Sequence, residues 1–298
     1  MKSDFINELG TLFNQNNSIS DDIYNKLDVK RGLRNKNGTG VLVGLTKIGS
    51  VLGYSVNKKG KKIPEKGKLY YRGISIDKLV EQFEEEKTFC FEKTMFLLLF
   101  GKVPSNFELK MFVSTLKEYR HLPDEFIEDF ILRKPSTDIM NHLQRAVLCL
   151  YTLDENPDDV SLSNLIDQSL NLIAKFPSLL VYCYQACNYK HFKKSLIIHN
   201  PMEEYSIAEN ILHMLRSDSK FTKLESEILD LILVIHAEHG GGNNSTFTSH
   251  VISSTRTDTY SSISASIGSL KGPMHGGANS MVTKMIEDMK KNSNPYDE

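Results

Sequence analysis

From Asp77 to the end of the chain, apolar residues recur at spacings of three and four almost without interruption. Capping residues and glycine stops cut this pattern into lengths that suit single helices. A half-buried strand needs alternation at two, so the body must be built from packed helices. The spacing predicts a helix capped by Ser75 or Asp77 that carries Leu79, Val80 and Phe83. A second covers Phe91–Phe100 and stops at Gly101, with Pro104 beyond it, and a third starts at Ser105. Further helices are predicted over Asp124–Leu132, Ile139–Tyr151, Ser161–Asn188, Ser206–Leu215 and Ser226–His239. Pro177 removes a donor and crowds the preceding turn, so it is expected to split the Ser161–Asn188 helix. No repeat of 20–50 residues is visible, which argues against a solenoid.

Ahead of this body, Gly38, Gly40, Val41, Val43, Thr46, Ile48 and Val51 suggest short strands over residues 32–73. Lys58–Gly60 and Lys66–Gly67 read as hairpin turns on either side of Ile63-Pro64. Residues 1–31 form a helical extension, with Phe5, Ile6, Leu9, Leu12 and Phe13 on one face and a second short helix at Ile23 and Leu27. The fold class expected is therefore mainly α with a small β-containing arm near the N-terminus.

Composition narrows the partners. A net charge of -1 gives no general reason to bind nucleic acid or an anionic membrane. The longest apolar runs, Met95–Phe100 and Leu179–Tyr184, fall far short of the roughly 20 residues of a membrane span. The N-terminus lacks a signal-like apolar region. Cys90, Cys149, Cys183 and Cys187 lie in apolar helical contexts without CxxC spacing, which suits buried free thiols in the cytoplasm.

Chemistry concentrates in Val234–Asn279, which holds four of the nine histidines. The helix over Ser226–His239 is apolar on most sides and so is expected to be deeply buried. His236 and His239, three apart at its end, can project toward one place. A helix C-terminus favours a cationic histidine, which suits an anionic carboxylate; the alternative is that both rings cap last-turn carbonyls. Gly240–Gly242 supply left-handed backbone and allow close approach of a ligand. His-Ala-Glu-His lacks the HExxH spacing of zinc enzymes, so no metal is expected. Asn243, Asn244 or Ser245 caps a helix through Ser253, in which His250 is an ordinary residue. Thr257 or Asp258 caps another to Ser269, whose small-residue surface permits close helix packing, including across a subunit interface. His275 stands just before a helix over Ala278–Lys290, whose positive end opposes an imidazolium. A neutral imidazole there can donate to a developing enolate oxygen, the role the triosephosphate isomerase histidine exemplifies. Gly276 and Gly277 leave room for a substrate beside it; otherwise the ring packs on its own loop.

The run HAEHGGGNNSTFTSHVISSTRTDTYSSISASIGSLKGPMHGGAN, residues 236–279, resembles the signature of the citrate synthase family, particularly its bacterial citrate/2-methylcitrate members. KLYYRGISIDKLVE (68–81), FLLLFGKVPS (96–105) and YSIAENILHMLR (205–216) resemble family segments in the expected order. The resemblance implies an all-α homodimer with a large and a small domain, placing the large domain at 32–276 and the start of the small one at 277–298. It implies enolisation of acetyl-CoA at its methyl group, attack on the ketone of oxaloacetate, and hydrolysis of citryl-CoA to citrate and CoA, with no cofactor. By motif position His275 is the catalytic donor to the acetyl-CoA carbonyl and His239 helps hold oxaloacetate. His236 and Asn243 are further substrate contacts.

The resemblance stops short in one respect. The family's catalytic aspartate, a third histidine in a Gly-His-x-Val-Tyr-like segment and the carboxylate-clamping arginines have no counterpart here. The chain is thus expected to be a C-terminally truncated member, with the small domain almost entirely missing and activity impaired or lost. The other expectations are a non-catalytic fragment that pairs with an intact copy or a complementary chain, and a fragment that does not fold. Propionyl-CoA stays open as the acyl donor.

Overall fold

The computed structural model describes residues 20–26, 41, 45–58, 61–86, 90–273 and 275–292. The chain divides into two compact units, residues 1–43 and 44–298. The described part of the first contains helix α1 (Asp21–Lys26), around the predicted Ile23. The pattern from Phe5 to Phe13 lies outside the described residues, as do Leu27, Gly38, Gly40 and Val43.

The second unit opens with an antiparallel sheet, β1 (Gly49–Val56), β2 (Lys62–Tyr71) and β3 (Ile74–Ser75), in that order. Asn57 closes the first hairpin: its N–H donates to the Lys61 carbonyl at 3.0 Å and its Oδ1 accepts the Lys61 N–H at 2.9 Å. This is the turn expected at Lys58. Lys66–Gly67 is not a turn. It lies inside β2, where pairing jumps from Leu52↔Lys68 to Tyr54↔Pro64, and the surplus residues form a bulge.

Helices follow: α2 (Ile76–Glu86), α3 (Phe91–Phe100), α4 (Asn106–Tyr119) and α5 (Asp124–Phe126), which continues in π geometry over Ile127–Leu132. Next come α6 (Ile139–Cys149), α7 (Leu162–Phe192), α8 (Ile207–Leu215), α9 (Lys223–His236), α10 (Asn244–Ser253), α11 (Thr259–Lys271) and α12 (Gly277–Asn292). The fold is mainly α, as the spacing requires. Local chemistry sets many of the ends. Gly101 takes φ 82° and returns its N–H to Leu97, while Ser105 with Glu108 and Ser206 with Glu209 form capping boxes.

Packing overrides the sequence pattern at Pro177 and in α9. Pro177 sits inside an unbroken α7, buried with Leu179, Val181, Tyr182 and Cys183. The surrounding apolar contacts hold the helix through the bond lost at the Ile173 carbonyl. Helix α9 is shifted toward the N-terminus: Thr222 and Glu225 cap it and it ends at His236. Nor is α9 deeply buried, since Leu224, Ile228, Ile232 and Ile235 form an exposed stripe. The small residues of α11 pack against α6 within the same chain. Ser264 donates to the Gln144 carbonyl at 3.0 Å, and a Cβ on Gly268 would meet the Gln144 side chain at 2.5 Å.

The largest core cluster includes Leu143, Val147, Leu179, Tyr182 and Ile267. A second joins Met95, Phe96, Phe112, Leu116 and Ile207, and a third joins Tyr71, Leu79 and Leu97 with Ala237 packed against it. None of the four cysteines forms a disulfide; Cys183 and Cys187 are buried, and Cys90 and Cys149 only half-buried. Two buried carboxylates tie helices together. Asp230 of α9 accepts the Cys90 and Phe91 N–H groups at the start of α3, and Glu92 of α3 accepts the Ile207 N–H at the start of α8.

Candidate active site

Three elements meet at one side chain, Asn243. As N-cap of α10, its Oδ1 accepts the Ser245 N–H at 2.7 Å and the Ser245 hydroxyl at 2.5 Å. A backbone N–H can only donate, so this bond settles which end of the amide is oxygen. The amide nitrogen therefore points the other way, 2.8 Å from Nε2 of His239 and 3.3 Å from Nε2 of His275. An amide nitrogen can only donate. A ring that accepts this bond at Nε2 carries its proton on Nδ1. Such a ring keeps an Nδ1–H donor for a substrate oxygen. Both rings are exposed, as substrate contact requires.

The backbone explains how the histidines reach this place. His239 leaves the turn after α9, where the Glu238 carboxylate folds back to accept the His239 and Gly240 N–H groups at 3.0 and 2.6 Å. Gly240 takes φ 91°, a left-handed value that glycine adopts without strain. Gly241 faces the arm that leads into β1, where an added Cβ would stand 3.0 Å from Thr46 Cγ2. Gly240 and Gly241 thus give space to the sheet end, while an added Cβ on Gly242 would meet open space. His275 sits on a turn between α11 and α12, with its N–H and that of Gly276 both directed at the Gly272 carbonyl. A Cβ on Gly276 would fall 2.3 Å from the Leu270 carbonyl oxygen. Gly276 is therefore needed for close backbone packing, a different reason from the expected room for substrate.

Of the predicted site residues, His239, Asn243 and His275 come together. His236 does not join them; its Nδ1 bonds the Ile232 carbonyl at 2.8 Å, the capping alternative. Among the described residues, no group of three or more His, Cys, Asp or Glu side chains is arranged to hold a metal ion. Tyr71 was missed at the sequence level. Its buried hydroxyl lies at the end of α9, 2.7 Å from the Val234 carbonyl and 3.2 Å from the Glu238 N–H, and burial pushes its phenol upward. Nothing in the Tyr70-Tyr71-Arg72-Gly73 spacing signals this contact.

A family model described as "Citrate synthase, C-terminal domain" matches residues 37–297. The chain belongs to the citrate synthase family. It is 35% identical over 242 residues to 2-methylcitrate synthase 1 of Corynebacterium glutamicum, covering 80% of this chain and 60% of that protein. It is 34% identical over 231 residues to citrate synthase 2 of Bacillus subtilis, covering 76% and 58%. The crystal structure of citrate synthase from Pyrobaculum aerophilum superposes with a TM-score of 0.65 at 30% identity, covering 85% of this chain and 60% of that one. The chain thus spans about 60% of the length of the curated relatives it matches. Its His239–Asn243–His275 cluster lies within the matched segment.

Proposed function

We propose that this chain carries the oxaloacetate-holding and enol-stabilising side of a citrate synthase active site. The reaction is an acyl transfer in which acetyl-CoA condenses with oxaloacetate to give citrate and CoA. The Asn243 amide shared by His239 and His275 carries this reading, because a ring that accepts its bond at Nε2 keeps an N–H donor at Nδ1. A base takes a proton from the thioester methyl while Nδ1–H of His275 holds the carbonyl oxygen as it becomes an enol. The enol carbon bonds to the ketone carbon of oxaloacetate, held by His239, and the ketone oxygen gains a proton. Water then breaks the thioester C–S bond and CoA leaves as the thiol. Propionyl-CoA, which would give 2-methylcitrate, is the second acyl donor to test. The assembly proposed is a cytoplasmic homodimer, with a small domain starting at Gly277 and His275 at the hinge.

Among the described residues, no carboxylate is hydrogen-bonded to the side chains of His239, Asn243 or His275. The catalytic aspartate that the family resemblance implies is not among these residues, and little turnover is proposed for the chain by itself. Titration calorimetry tests the reading. Oxaloacetate should bind the wild type, and His239→Ala should weaken it about tenfold or more, the value of one hydrogen bond to a charged partner. A folded chain with no affinity for oxaloacetate would overturn the assignment of His239. Robust thiol release from either acyl-CoA would overturn the expectation about the base.

The exposed stripe of Leu224, Ile228, Ile232 and Ile235 on α9, and that of Met281, Met285 and Met289 on α12, favour a second reading. Contiguous exposed apolar surface suits an interface, so the chain would pair with an intact copy or a complementary chain without catalysing. Co-expression with a full-length relative, followed by size analysis, discriminates: stable mixed assemblies support this reading and their absence removes it.

A further inference from the structure

We propose that Tyr71 is a positioning residue: its hydroxyl stops helix α9 at His236 and so frees His239 to meet Asn243. The proposal rests on the reading of His239 as a substrate contact. In a continuing α-helix the next bond would run from the Glu238 N–H to the Val234 carbonyl, four residues back. The Tyr71 hydroxyl stands between those two groups. It donates to the Val234 carbonyl at 2.7 Å, with Ile235 O at 3.1 Å, and accepts the Glu238 N–H at 3.2 Å. One side chain from β2 thus satisfies both ends of the bond that would have extended the helix. Ala237 makes only a tighter three-residue bond to Val234, at 3.3 Å.

The apolar periodicity of this segment favours a helix that runs on to His239. Tyr71 overrides that preference from 163 residues away. The β-sheet contributes on a second side. Gly49 of β1 leaves space for the Glu238 side chain, whose Cγ would be 2.3 Å from an added Cβ. That space lets the Glu238 carboxylate turn back onto the His239 and Gly240 N–H groups. In a helix extended through Glu238, His239 would sit one turn above His236 on the same face. It would then be withdrawn from Asn243.

The test is Tyr71→Phe in the full 298-residue chain, with histidine labelled at its imidazole nitrogens for NMR. The wild type should show His239 as the Nδ1–H tautomer with Nε2 accepting a bond. Tyr71→Phe should move the backbone shifts of Ala237–His239 toward helical values and turn His239 into the tautomer mixture of an unpartnered ring. Leu79→Ala, in the same core cluster as Tyr71, serves as the control for simple loss of stability. The proposal is overturned if Tyr71→Phe leaves the His239 signals unchanged. It is equally overturned if Leu79→Ala alters them as much at a matched loss of Tm. Should Tyr71→Phe fail to fold, hydrogen exchange in the wild type decides: the Glu238 amide must be protected, and exchange as fast as at exposed Gly242 overturns the proposal. Adding oxaloacetate to the wild type separates the two ideas. A His239 signal that ignores oxaloacetate but responds to Tyr71→Phe defeats the functional reading and leaves the positioning role standing.

Discussion

Glu92 should make the chain less stable as the pH rises past neutrality. The side chain is 6% exposed, and its buried Oε2 has no hydrogen-bond partner among the described residues. Burial pushes the carboxyl up to about 7, with nearby Asp230 adding to the rise; the Ile207 N–H and Arg120 oppose it. A carboxyl whose folded pKa lies above its unfolded value favours the folded state at low pH. That contribution is fully present below about pH 4.5 and is lost as the pH climbs through about 7. The gap corresponds to about 3 kcal/mol, of which roughly 2.5 kcal/mol is lost between about pH 5 and about pH 8. Glu92→Gln keeps an oxygen for the Ile207 N–H and cannot ionise. Its amide places N–H groups where Oε2 has no partner, at a cost of about 1–3 kcal/mol. Urea unfolding across this pH range should therefore show the Glu92→Gln variant less stable than wild type near pH 5, with the two curves converging or crossing near pH 8. Asp230, also raised chiefly by burial, stays in both proteins and slopes both curves the same way. Parallel curves for wild type and variant would refute the role given to Glu92.

Asn243→Asp should keep the cap on α10, since an oxygen still faces Ser245, but it removes the shared donor. Tm should change little while oxaloacetate affinity falls; Asn243→Ala should lose both affinity and about 1 kcal/mol from the missing cap, measured by calorimetry and thermal melts. Gly276→Ala forces a Cβ to 2.3 Å from the Leu270 carbonyl oxygen, so urea unfolding should show a loss of about 1–3 kcal/mol. His142 is fully buried, and burial, with Arg145 adding to it, holds its pKa below the usual histidine value against the opposing backbone groups of Phe130, Ile131 and Cys183. Its folded state favours the neutral ring, so stability is kept above about pH 6.5 and lost as the pH falls below it. His142→Leu should flatten that acid loss in unfolding curves and stabilise the chain at neutral pH.

Much of the fold is legible because its signals are local. Gly101, Ser105, Ser206 and Asp258 act on groups within a turn of themselves, so their sequence positions are enough to place the helix ends they set. The failures come where a distant group decides. The end of α9 is set by Tyr71 from another element, Pro177 is held inside α7 by its neighbours, and Lys66–Gly67 is drawn into β2 by pairing with β1. The site divides the same way. Histidines beside glycines mark His239 and His275, yet only the fold shows that Asn243 links them and that His236 caps its own helix. The small residues of α11 show the need for close packing but not its partner, which is α6 of the same chain.

The most direct test of the central claim is to titrate the wild-type chain with oxaloacetate while observing the imidazole nitrogens. The predicted result is that His239 and His275 begin as neutral Nδ1–H tautomers and that the His239 Nδ1 signal shifts saturably, while buried His142 stays still. Protonated rings at neutral pH in the free chain, or a His239 signal indifferent to oxaloacetate, would contradict it.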